Sequence, residues 1–177
     1  MVWLRKRSGR RTIMQNLFGV LDEVEQVTDE MYKNAEMLLD LYRKVKFRVY
    51  RNLEEIDEEL YIEDRKNLTL LLNNILDFDS TIEKRRIQER LASNNFNLCL
   101  LEIMEDALLI VKRYPDDGEL FYRLLRYRYF DSFKNTNEDV MMMLEDMPYT
   151  TYYRKRKKAI RLYAAMLWGV ARKAQAQ

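Results

Sequence analysis

Thr136 to Gly169, TNEDVMMMLEDMPYTTYYRKRKKAIRLYAAMLWG, spells a short helix, a tight turn and a longer helix. The first two turns of that longer helix carry five consecutive basic residues, Arg154 to Lys158. Thr136 is a good N-cap, and Asp139 three residues later supplies a weaker form of the capping box. The helix that follows places Val140, Met143, Leu144 and Met147 on one side. Pro148 has no amide proton and pushes its predecessor out of helical dihedrals, so a break falls between Glu145 and Tyr149. Either Pro148 is the first residue of the second helix or Thr150 caps it.

At 100° per residue, Tyr153, Arg156, Ile160, Tyr163, Ala164 and Leu167 gather on one side of the second helix. Thr151, Arg154, Lys155, Lys158 and Arg161 fall on or beside the opposite side. A helix with an all-positive polar face, presented after a turn from a shorter helix, suits the major groove of DNA. Arginine reaches guanine bidentately, lysine meets phosphate, and the helix N-terminus adds a positive dipole end. The plain alternative is a solvated basic face, and the turn spacing with its capped partner helix counts against it.

Outside this stretch, composition sets the fold class. The 177 residues include only four glycines and two prolines, and Val20 to Tyr114 contains neither. A run of that length, rich in Leu, Glu, Lys, Arg and Met, predicts an all-α protein. No window of about 18 residues is apolar and uncharged, so no membrane span is expected. The opening MVWLRKRSGRR lacks the apolar core and cleavage site of a signal peptide. The single cysteine, Cys99 in FNLCLLEIM, reads as a reduced core residue of a cytoplasmic protein.

Net charge is only +2, but its distribution is uneven. Residues 1–12 hold five basic residues and 150–177 hold eight, neither segment with an acid; residues 13–149 carry all 29 acids against 18 basic residues, a balance of −11. An acidic body with two basic ends repels phosphate everywhere except at those ends.

Three regions are expected in chain order: a basic, disordered arm at 1–12, a helical oligomerisation region at 13–92, and a helix-turn-helix domain at 93–177. From Leu17, apolar residues recur at alternating spacings of four and three through Leu21, Val24, Thr28, Met31, Ala35, Leu38, Tyr42, Val45, Val49 and Asn52 to Ile56. That is a coiled-coil signal, which predicts a homo-oligomer. The same stripe would also serve a helical hairpin packed on residues 62–76, because Val27, Leu39, Leu41, Phe47 and Leu53 widen it beyond a two-stranded seam. The carboxylates Glu54, Glu55, Asp57, Glu58 and Glu59 read as a solvated face. With no histidine in the chain, neither a di-iron bundle nor a zinc hydrolase site can be assembled, so no metal and no cofactor are expected.

Asn67 to Phe78 reads as a short leucine-rich helix, Ser80 opens a capped helix, and 82–91 is a charged connector. Ser93-Asn94-Asn95 is the expected boundary. Beyond it, Leu98, Leu101, Met104, Leu108 and Val111, flanked by Leu100, Ile103, Ala107 and Ile110, predict a helix buried on most sides. Pro115-Asp116-Asp117-Gly118 is a turn. Glu119 to Phe130 is a helix with Phe121, Leu124 and Leu125 inward and Arg123 and Arg126 outward. The aromatics from Tyr127 to Trp168 fit core positions better than a stacking platform for single strands. Met141 to Met143 read as core filler rather than a partner surface.

The run YTTYYRKRKKAIRLYAAMLWG resembles the C-terminal signature of the ArpU-type (autolysin-regulator) phage late transcriptional regulators. The matching residues are Thr151, Tyr152, Tyr153, Arg154, Arg156, Lys158, Ala159 and Ile160, then Leu167, Trp168 and Gly169. Tyr114 to Phe130, YPDDGELFYRLLRYRYF, is similar to that family's proline-centred segment. In EDMPYT the small glycine or serine usual at such a turn is absent. The resemblance implies a helix-turn-helix similar to region four of bacterial sigma factors. It also implies activation of phage late genes in a bacterial host and, as one option, contact with RNA polymerase.

The sequence therefore leads to a sequence-specific regulator of double-stranded DNA. The expected contacts are Thr150, Thr151, Tyr152, Arg154, Lys155, Lys158 and Arg161, with Arg172 and Lys173 adding charge toward the backbone. Two other readings stand beside it: an oligomeric DNA-packaging subunit of the small-terminase kind, and a coiled-coil adaptor whose basic helix meets an acidic protein. With no histidine, no glycine-rich phosphate loop and no nucleophile beside a base, an enzyme is not expected.

Overall fold

A computed structural model describes residues 24–53, 58, 61–64 and 94–175. Among them all regular structure is helical: α1 (Asp29–Arg51), α2 (Asn94–Lys112), α3 (Gly118–Leu125), α4 (Asn137–Met143) and α5 (Tyr149–Gln175), with a π-turn at Arg126–Phe130 continuing α3. The expected arm at 1–12, the helices placed at 67–78 and after Ser80, and the connector at 82–91 lie outside the described residues. Of the acidic cluster only Glu58 is described, and it is exposed.

Helix α1 begins where the sequence offers a cap. The Thr28 hydroxyl accepts a bond from the Met31 amide at 3.1 Å, with Asp29 and Glu30 in the first turn and Arg48 and Arg51 in the last. Both ends thus complement the helix dipole. Thr28 is a cap and not a seam position, which interrupts the heptad run read from Leu17 to Ile56. The stripe Ala35, Leu38, Leu39, Tyr42, Val45 and Val49 is buried and packs on α2, α5 and the π-turn. From Ala35 to Val49 the seam expected to face a second copy is therefore covered by the chain's own helices; Leu17, Leu21 and Ile56 lie outside the described residues. Each fully buried Leu of this stripe contributes about 1.5–3 kcal/mol of transfer free energy.

Helix α2 is the central post, packed against α1, α3 and α5. Its buried residues run from Phe96 through Cys99, Leu101, Met104 and Ala107 to Val111, so the expectation of a helix buried on most sides holds. The buried Tyr163 hydroxyl of α5 donates to the Met104 carbonyl at 3.2 Å, tying the two longest C-terminal helices at mid-height. The boundary expected at Ser93 falls at the start of α2, and α1, from the other side of it, contributes to the same core.

The turn into α3 depends on two neighbouring residues. Asp117 takes a left-handed conformation, φ 62°, and Gly118 lies against the end of α2. A Cβ on Gly118 would sit 2.8 Å from the Val111 carbonyl oxygen, 3.0 Å from that of Lys112 and 3.2 Å from Tyr114 Cβ. Backbone oxygens cannot step aside as a flexible side chain does. Gly118→Ala is therefore expected to cost about 1–3 kcal/mol, the usual penalty of overpacking, measured as a lower urea midpoint at unchanged slope.

After Leu125 the backbone widens. The Asp131 amide reaches back five residues to the Arg126 carbonyl at 3.0 Å. Arg43, crossing from α1, reaches the backbone carbonyls there: Nε donates to Asp131 at 2.8 Å, and Nη2 to Arg128 at 2.8 Å and Phe133 at 3.1 Å. One guanidinium thus donates to three carbonyls in and just after the π-turn, and that of Phe133 also accepts from the Asn135 backbone amide at 3.2 Å. Burial lowers its pKa below the ordinary arginine value. Asn135 adds a bond from its side-chain amide to the Tyr127 carbonyl at 2.8 Å, which holds the loop from which α4 departs.

Candidate nucleic-acid interface

Helix α4 starts on the box that the sequence announced. The Asp139 amide donates to the Thr136 hydroxyl at 3.1 Å, and the Thr136 amide donates to the Asp139 carboxylate at 2.7 Å. The bonds its carboxylate accepts from the Thr136 amide and from the Thr136 hydroxyl at 2.8 Å hold the Asp139 carboxyl below its usual pKa. Val140 and Leu144 are buried and Met147 half-buried, as read, but Met143 is exposed. Of the three methionines expected as filler only Met141 packs against the core, and Met142 is exposed with Met143. The reason is length: α4 has seven residues, too few turns to bury more than one side.

The corner between α4 and α5 is made without glycine. Glu145 and Asp146 both adopt positive φ, 62° and 56°, a conformation costing an L-residue roughly 1–2 kcal/mol. The Met147 amide closes the corner onto the Met141 carbonyl at 3.1 Å. Pro148 precedes α5, and its carbonyl accepts from the Tyr152 amide at 2.9 Å. The helix begins at Tyr149, so Thr150 lies within it and is not its cap.

Asn137 fixes α4 to α5. Its side-chain oxygen accepts from the Tyr152 hydroxyl at 3.0 Å and from Arg128 Nε at 3.1 Å, and its amide donates to the Tyr153 hydroxyl at 3.1 Å. Tyr152 has 0% of its surface exposed, and burial pushes its phenol up to about 12. The expectation that Tyr152 touches DNA is therefore corrected: it points into the core. The angular reason is simple, since Tyr152 sits about 40° from Arg156 on the wheel and about 160° from Arg154.

The five consecutive cations divide by partner. Arg156 turns inward, where Nη2 donates to Glu36 Oε1 and to the Tyr129 hydroxyl, each at 2.6 Å. Burial works against its charge, yet Tyr129 and Glu36 more than offset it and hold its pKa above the usual value. Lys155 is paired with Asp117. Arg161, on the next turn, lies 3.5 Å from Asp29, which is well exposed. Arg154, Lys157 and Lys158 are exposed and make no ion pair among the described residues.

Angular position groups these three with Arg161. With Thr150 set at zero, Lys157, Arg161, Arg154 and Lys158 fall at about −20°, 20°, 40° and 80°. They form one face beginning at the N-terminus of α5. Thr150 is exposed on it, and Thr151 is half-buried at its border. Of the residues read from sequence, the structure brings Thr150, Arg154, Lys158 and Arg161 together, holds Lys155 at the edge and removes Tyr152. Lys157 was missed, although its position on the wheel, about 20° from Thr150 and about 40° from Arg161, marked it.

Past Arg161 the helix changes character. Leu162 through Trp168 are buried without interruption, whereas from Tyr149 to Arg161 one side is exposed and the other, with Tyr152, Ala159 and Ile160, is core. The aromatics follow suit: Tyr129, Tyr152, Tyr163 and Trp168 are buried, while Phe133 and Tyr149 are exposed. Among the described residues no helix is long and apolar enough to cross a membrane, and no group of three or more His, Cys, Asp or Glu side chains could hold a metal. No protein-family model, no curated protein and no solved structure matches this chain.

Proposed function

We propose that this protein is a sequence-specific double-stranded-DNA-binding transcriptional regulator that lays the first half of α5 in the major groove. The observation that carries the reading is the set of cations Arg154, Lys157 and Lys158, without an ion pair among the described residues, on one exposed face at the start of a helix. That helix follows a capped short helix across a corner closed by its own backbone. The helix is about 10–12 Å across, a fit to a groove about 12 Å wide, and from Thr150 to Arg161 its face runs for about 16 Å. The buried stretch from Leu162 to Trp168 anchors it, so the face is presented rigidly. The helix N-terminus and the Thr150 hydroxyl suit phosphate, and Arg154 suits a guanine edge. The narrower reading, activation of phage late genes with RNA polymerase as a partner, rests on the quoted resemblance alone. The part of the stripe from Ala35 to Val49 is buried within the chain, so the packaging-subunit and adaptor readings draw no support from that part.

Selection from a random duplex library tests the proposal, followed by fluorescence anisotropy on the enriched duplex at 50 and 200 mM salt. Replacing Arg154, Lys157 and Lys158 together by alanine is expected to flatten the log–log salt slope by roughly 2–3. It should also weaken binding by several kcal/mol, with the thermal unfolding curve unmoved. A selection that enriches no sequence, or a triple variant with wild-type affinity and slope, sinks the assignment.

A further inference from the structure

Lys155 stands about 60° round α5 from Lys158, at the edge of the proposed DNA face, but it is already engaged. Its ammonium contacts Asp117 Oδ2 and lies 5.9 Å from the centre of the Phe121 ring. The Lys155 side chain is 20% exposed and that of Asp117 44%. Asp117 occupies the N-cap position of α3 yet makes no capping bond with its side chain. Its carboxylate is directed to the lysine instead. Asp116 and Asp117 also border a cleft of about 330 Å³ whose other residues include Lys158 and Arg161. Two carboxylates thus rim the cations that would meet DNA.

We propose that Asp117 is a specificity-determining residue of this surface, acting by withholding charge; the inference rests on the DNA-binding reading above. Non-specific binding samples many registers and gains affinity from each phosphate contact, whereas the specific register adds base contacts. A carboxylate at the rim repels the backbone in any pose that brings phosphate against α3. An ammonium held by that carboxylate releases no counterion from DNA. Both effects weaken misplaced binding more than correct binding, a repulsive element of the kind specificity requires.

Asp117→Asn is the test, because asparagine tolerates the left-handed conformation at that position and keeps the size while losing the charge. In the free protein, acetylation of Lys155 by an activated ester, read by mass spectrometry, is expected to rise several-fold in the variant. Affinity for a random-sequence duplex of about 30 base pairs should rise about 3–10-fold at low salt, with a salt slope steeper by about one. Affinity for the duplex enriched by selection should rise less, so the ratio of specific to random binding falls. Equal acetylation in the two forms, or an unchanged ratio while the wild type binds both duplexes, overturns the role of Asp117 and leaves the DNA-binding reading standing. A wild type that binds neither duplex overturns both.

Discussion

Arg156→Ala is expected to lower the unfolding free energy by about 2–4 kcal/mol, the largest loss from any single cation of the basic run. Arg156 reaches from α5 to Glu36 on α1 and to Tyr129 in the π-turn, both at 2.6 Å, so one guanidinium joins three elements. Its side chain is 19% exposed and that of Glu36 31%. Breaking a fully buried pair by removing one partner costs about 3–5 kcal/mol, because the other charge is stranded. Partial access of water to Glu36 lowers the figure here. Arg156→Met separates the contributions, since it keeps most of the stem packing and loses only the charge and the donors. Urea denaturation at pH 7 reads the loss as a shifted midpoint with unchanged slope. A cost below about 0.5 kcal/mol would place Arg156 among ordinary surface ion pairs and contradict its inward position. Arg154→Ala and Lys157→Ala serve as the contrast, with changes inside about 0.5 kcal/mol expected for exposed positions.

That contrast shows what a linear reading can and cannot deliver. Arg156 falls with Tyr153, Ile160 and Tyr163 on the 100° wheel, so its inward direction was legible from spacing alone. The Thr136–Asp139 box was legible for a similar reason: all its partners lie within one turn. The buried character of Asn94–Lys112 was visible because apolar residues there cover most of the wheel. Other features are tertiary and leave no local trace. Lys155 and Asp117 are 38 positions apart, and nothing in either neighbourhood announces the pair. The hydroxyl of Tyr152 finds Asn137 at a distance of 15 residues; without that partner the tyrosine reads as another polar side chain on a basic helix. The stripe from Ala35 to Val49 shows a period but cannot say who covers it, since a second copy and the chain's own helices satisfy it equally. At Glu145 the residue type argues against the left-handed conformation it adopts, whereas Asp146 is of a type that visits it more readily. Packing of Val140, Leu144 and Met147 on the core outweighs the local preference there, as tertiary context often does.

Raising the pH above about 10 is expected to unfold the protein cooperatively, and four buried tyrosines set the steepness. Tyr42, Tyr129, Tyr152 and Tyr163 each expose 1% of their surface or less. Burial is the largest cause of the raised pKa in all four. For Tyr42 the hydrogen bond to Glu105 raises it further, and for Tyr129 the Arg156 charge opposes the rise without cancelling it. These phenols stay protonated in the native state after their unfolded counterparts, at about pH 10, have begun to ionise. Between the unfolded and folded values the unfolded state binds fewer protons, so stability falls as pH rises. Below the unfolded value the contribution is fully present. The slope is about 1.4 kcal/mol per pH unit for each group, or roughly 5 for four, against a total of about 5–15 kcal/mol for a domain. Unfolding should therefore set in near pH 11. Absorbance at about 295 nm, the tyrosinate band, should show a steep phase coincident with loss of helical circular dichroism. Tyr152→Phe removes one of the four groups and should flatten the pH dependence of stability by about a quarter, even though losing the bond to Asn137 costs about 1 kcal/mol at pH 7. A single smooth titration of all twelve tyrosines with the helices intact would mean that these four hydroxyls are open to solvent, and the packing of α5 against α1, α2 and the π-turn would have to be redrawn.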